Sequence, residues 1–167
     1  MPPALGWGQQ YIQGSYGVNF DTVPVWYDIT LEKGPPPPYP PRETDPQFWT
    51  TAGVKNSNIV PLALDSAFFW AGLRDAAVEG PPEYEIVGQW PTHSPVWLSW
   101  AGTSFCINRH DGGVNALFLD LSVRKVGLKE FWTLRWHKQF DTRGPWTKAG
   151  GVKPEDWPEW MRRFKDY

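Results

Sequence analysis

Little in this sequence can staple a fold, cross a membrane or attract a polyanion. It holds one cysteine, Cys106, so no internal disulfide frames the chain. That residue reads as a small apolar side chain buried in a strand. No apolar run approaches the roughly 18 residues of a membrane helix, and Met1-Pro2-Pro3 begins nothing like a signal peptide. The 16 basic and 18 acidic residues leave a formal charge of −2, with no block of one sign, so nucleic acid is not an expected partner. There is no Cys-x-x-Cys, no His-Glu-x-x-His and no phosphate-cradling glycine loop. Lys, Glu and Ala are too sparse for a long-helix protein.

What the chain has in excess is tryptophan and proline, 12 and 18 residues, which favours strands, turns and short helices. Its 167 residues suit a single domain spanning 1–167. Tyr11 to Tyr27 predicts two short extended segments, one of them Val23-Pro24-Val25-Trp26-Tyr27. Residues 34–41 are proline-rich and predict a stiff polyproline II surface loop. Ile59 to Asp65 reads as a buried strand ending in a turn former, with Pro61 marking an edge or a bulge. From about 66 to 102 aromatic residues alternate with Gly, Pro and Ser without a clear period, predicting an irregular aromatic insertion.

The clearest local pattern lies after Ser104. Ser104 to Arg109 alternates apolar with polar side chains, His110-Asp111-Gly112-Gly113 supplies a turn, and Val114 to Leu119 forms a second strand. Val123 to Val126 returns as a third, giving an antiparallel meander that needs a helical cover. Two amphipathic helices are predicted to provide it. One runs from Leu128 to about Gln139 with Phe131, Trp132 and Trp136 on its apolar face and Lys129 among its polar residues. The other starts at Asp156, with Pro158 in its first turn and Trp157, Trp160, Met161 and Phe164 as its stripe.

The stretch from Arg109 to Val123, with His110 and Asp120 separated by nine residues, resembles the His-x9-Asp-Gly signature of type II secretion G-like pseudopilins. Ser15-Tyr16-Gly17-Val18-Asn19 is similar to another element of that family, and Val123 to His137 to its continuation in one branch. Leu121 stands where the family usually has glycine. The resemblance implies an α+β, pilin-like fold: an antiparallel sheet on a long amino-terminal helix that this chain lacks, with Arg109, His110, Gly112, Gly113, Asn115 and Asp120 shaping it. It implies a non-catalytic subunit of a secretion or type IV pilus-like filament in the bacterial cell envelope, with other pilin-like subunits and the assembly machinery as partners. Membrane attachment would come only through that helix. Calcium is held by loop carboxylates in some pseudopilins, for which Asp111, Asp141 and Asp156 are the candidates here, against ordinary solvated turns; no other cofactor is implied.

Two rival readings start from residue chemistry. A hydrolase would need His110, Asp120 and Ser104 or Ser122 together, yet one strand between them puts the α-carbons of His110 and Asp120 roughly 20–30 Å apart. Turn roles are therefore expected for both, and Cys106 and His110, roughly 13 Å apart along a strand, are not a metal pair. A secreted carbohydrate-binding module would stack sugars on tryptophans of the insertion, with Trp90, Trp97 and Trp100 as the contacts. Packing of those rings onto the sheet is the plainer expectation.

Overall fold

A computed structural model describes residues 16–19, 49, 53–67, 70–71, 73, 77, 79–85 and 104–167. Val23–Tyr27 and the proline-rich loop 34–41 lie outside the described residues. Among the described residues five strands form one sheet: β1 (Tyr16–Asn19), β2 (Pro61–Asp65), β3 (Trp70–Ala71), β4 (Gly113–Phe118) and β5 (Val123–Gly127). Their order is β3-β1-β2-β4-β5, antiparallel throughout except for the parallel β1–β3 pair. Short 3-10 helices cover the sheet, an arrangement that is α+β in the general sense. No helix among the described residues is long and apolar enough to cross a membrane.

The expected second and third strands pair as a hairpin, Gly113 opposite Gly127 through Leu117 opposite Val123. The expected first strand does not form. Phe105, Cys106 and Ile107 are all buried, without the apolar-in, polar-out alternation expected of them. The chain instead coils through two tight contacts, Ile107 N–H to Phe105 O at 2.8 Å and Arg109 N–H to Ile107 O at 3.0 Å. The neighbour of β4 is therefore β2, and the sheet is not a meander. β2 is central rather than at an edge; Pro61 begins it, and the register with β4 shifts between Pro61 and Ala63.

Both bends around β4 follow from local chemistry. Asp111 and Gly112 have φ of 49° and 78°, the backbone of the two-residue turn that Asp-Gly favours, and His110 N–H closes on Gly113 O at 3.1 Å. A Cβ on Gly112 would sit 2.8 Å from the Phe164 ring, so glycine there serves the backbone and the packing together. At the far end Leu121 N–H bonds Phe118 O and Phe118 N–H bonds Ser122 O, both at 2.9 Å. Leu121 occupies the left-handed position of this loop at φ 66° with its side chain 75% exposed, so no packing offsets the strain. Leu121→Gly is expected to raise stability by about 0.5–1 kcal/mol, the left-handed penalty less the entropy of glycine, read as a higher urea midpoint at unchanged slope.

Neither predicted α-helix forms. Leu128–Thr133 is a 3-10 helix, whose three-residue repeat brings Leu128, Phe131 and Leu134 into the core together. Thr133 Oγ1 donates back to Glu130 O at 2.8 Å, and Leu134 is extended at ψ 152°. Lys129, expected on the polar face, is buried; its ammonium meets Asp166 at 2.7 Å and lies 4.8 Å over the Trp157 ring. Farther on, Pro158 forces Trp157 into extended backbone at ψ 144°, dividing the expected terminal helix into 3-10 turns Pro154–Asp156 and Glu159–Met161. Trp157 and Met161 nevertheless enter the core, with Trp160 and Phe164 packed beside them. Part of the aromatic insertion is clipped to this layer by indole donors, Trp132 Nε1 to Glu79 O at 2.8 Å and Trp160 Nε1 to Pro82 O at 3.0 Å.

Candidate functional site

β2 ends in a carboxylate that belongs to the interior. Asp65 is 2% exposed. Its Oδ2 accepts the Asn115 backbone N–H at 2.7 Å and lies 2.9 Å from His110 Nε2, while Oδ1 is 3.9 Å from Arg109 Nη1. The Asp-Gly turn delivers Arg109 and His110 on one side, and β4 presents Asn115 on the other. A buried charge persists only where donors surround it, and three do so here. Arg109 also reaches Ser66 O at 3.5 Å.

The geometry decides which imidazole nitrogen carries a proton. Facing a carboxylate, Nε2 donates; Asn115, whose side-chain amide lies 3.1 Å from the same nitrogen, must then turn its oxygen toward it. The ring is half-exposed and no described hydroxyl or thiol bonds it; Ser66 Oγ donates to Ser104 O at 3.1 Å. Burial pushes the Cys106 thiol far above the usual range, leaving it protonated and a poor nucleophile. The cluster orients and fastens loops, and at its centre the described residues pair a carboxylate with an imidazole.

The predicted motif residues divide between two places. Arg109, His110 and Asn115 converge on Asp65, with Gly112 in the turn and Gly113 starting β4. Asp120 lies beyond the opposite end of β4, where its Oδ1 accepts Ser122 Oγ–H at 2.6 Å and Ser122 N–H at 3.0 Å. These bonds, the hydroxyl's first, hold its carboxyl below the usual range. With the folded value depressed, the cap contributes above the ordinary aspartate pKa and is lost as pH falls through the lowered one. An NMR titration is expected to move the Ser122 amide with a midpoint below that of a free aspartate.

Asp65 is the residue that sequence reasoning missed as a site member. In the sequence it is a turn former that ends an apolar run, and its place in that run, next to Ser66 and Ala67, is the one local sign of burial. Trp90, Trp97 and Trp100 lie outside the described residues. Among the described residues no three of His, Cys, Asp and Glu are grouped as metal ligands. Of the calcium candidates, Asp141 caps Arg143 N–H at 2.9 Å and Asp156 caps Lys153 N–H at 2.8 Å. No protein-family model, curated protein or solved structure matches the chain.

Proposed function

We propose that this chain is the globular part of a pseudopilin-like subunit, a non-catalytic building block of a bacterial secretion or pilus-like filament at the cell envelope. The observation that carries the reading is the use made of the signature residues. His110 is tied to a buried carboxylate that fastens the Asp-Gly turn, while Asp120 caps its own loop at the other end of β4. Each fixes a bend, and neither faces a reacting group. A largely antiparallel sheet whose bends are fixed by these residues suits a subunit that packs through its framework. Other copies and the assembly machinery are the partners in this reading, and a pilin-like helix ahead of the sheet would join them.

The test is genomic and then cellular. The reading frame ahead of Met1 is expected to encode a prepilin leader and an apolar helix. Expressed with that segment beside a prepilin peptidase, the protein is expected to be processed, extracted from the membrane and cross-linked into multimers. A gene without a leader, or a processed product that stays monomeric under cross-linking with its machinery present, would remove the proposal.

A further inference from the structure

The signature cluster leaves unused a cleft on the opposite flank of the Asp-Gly turn, where the last residues of the chain fold back over the base of the β4–β5 hairpin. This solvent-open cleft has a volume of about 410 Å³, in the range of small-ligand sites. Two rings form its walls because two glycines let them in. Phe164 lies against Gly112, and Tyr167 lies against Gly127, whose added Cβ would collide with the phenol.

Three cations rim this space. Lys125 reaches in from β5, its Nζ 3.1 Å from Asp111 O; Arg163 lies 4.8 Å over the Phe164 ring, and Lys165 lies 4.7 Å over the Tyr167 ring. Carbonyl and ring contacts position these charges without neutralising them. Arg163 has one carboxylate partner, Glu85, at an exposed 3.5 Å, a pairing that an incoming anion can replace at little cost. The other nearby carboxylates are committed, Glu130 to Arg124 at 2.6 Å and Asp166 to Lys129 at 2.7 Å. Among the described residues lining the cleft, Asp111 alone has an acidic side chain. On a chain of net charge −2 this is a positive basin, and such a basin selects an anion. Its volume exceeds what a bare inorganic ion would fill, and the parts of Phe164 and Tyr167 that line it beside the cations offer apolar contact to the C–H groups of a sugar ring.

We propose that this cleft binds an acidic sugar, a pyranose carrying a carboxylate or a phosphate, with Lys125, Arg163 and Lys165 holding the anionic group. The inference stands apart from the filament reading, because it needs neither assembly nor processing. It also differs from a tryptophan-based sugar platform, since charge dominates the selection.

Titration of the full chain with glucuronate, glucose 6-phosphate and glucose, followed by calorimetry and amide shifts, is the test. Saturable binding of at least one acidic sugar with Kd on the order of 1 mM is expected, at least about tenfold tighter than glucose and weakening with salt. Lys125→Gln, Arg163→Gln and Lys165→Gln each lie at exposed positions and are expected to fold normally; each should weaken binding by about three- to tenfold. Asp111→Asn keeps the left-handed turn and should tighten binding by about twofold or more. A uronate polymer that outbinds its monomer identifies a glycan as the source, whereas binding confined to monomers identifies a free metabolite; both support the site. Glucose binding as well as glucuronate, no saturation up to about 50 mM, or full affinity in the natively folded triple glutamine variant would overturn it.

Discussion

Asp65→Ala is expected to destabilise the fold by about 3 kcal/mol, measured as a drop in the urea midpoint. The size follows from what remains behind. Asn115 N–H, the His110 ring and the Arg109 guanidinium all point at a carboxylate that is 2% exposed, and its removal leaves the Asn115 amide without an acceptor. Losing only the imidazole should matter less. The His110 side chain is 42% exposed, so water can replace it, and His110→Ala is expected to cost about 1 kcal/mol or less. The double variant should then fall short of the sum of the singles, because without Asp65 the imidazole has lost its carboxylate and keeps only the exposed Asn115 side chain. Asp65→Asn is intermediate, since one of its two side-chain positions becomes a donor facing donors. Equal losses for Asp65→Ala and His110→Ala would show that the cluster is not organised by its buried member.

The parts legible in the sequence were those governed by neighbours along the chain. The Asp-Gly pair set its turn through its own backbone preference, and Asp120 capped a loop two residues away. β2, β4 and β5 could be read because apolar runs end in turn formers there. The failures share a cause as well. Phe105 and Ile107 look like one face of a strand, but Cys106 between them is also buried, and only the packing of Trp136 against Phe105, with centroids 5.1 Å apart, shows why the chain coils there. Leu128, Phe131, Trp132 and Trp136 fit helical spacing while Leu128, Phe131 and Leu134 fit a three-residue repeat, and so short a run does not separate the two. Pro158 could open a helix or interrupt one, and the burial of Trp157 beside Trp132, with centroids 5.4 Å apart, favoured interruption. Asp65, expected only to end a strand, and Lys129, expected on a polar face, find partners in His110 and Asp166, 45 and 37 residues away. No local pattern announces a long-range ion pair.

Trp136→Ala is expected to be the more damaging change, costing about 5 kcal/mol. The ring is wholly buried, stacks on Phe105 at 5.1 Å and meets Phe131 edge-on at 6.3 Å. It therefore joins the coil that replaces the expected strand to the 3-10 helix that replaces the expected α-helix. Backbone polar groups reinforce the same point: Asn19 Nδ2 donates both to Pro61 O at 2.8 Å and to Trp136 O at 3.1 Å, tying β1 and β2 to this residue. A loss of that size approaches the whole stability of a typical domain, about 5–15 kcal/mol, so the near-UV circular dichroism of folded aromatic packing should largely vanish at room temperature. Trp136→Phe separates the ring from its N–H. The indole donates to Phe131 O at 2.8 Å, but Leu134 N–H reaches the same oxygen at 3.2 Å, so the carbonyl keeps a partner when the indole is removed. That variant is expected to cost only about 1–2 kcal/mol and to retain a cooperative transition. Near-equal losses from the two substitutions would mean that the hydrogen bond, rather than the aromatic stack, holds the sheet to its cover.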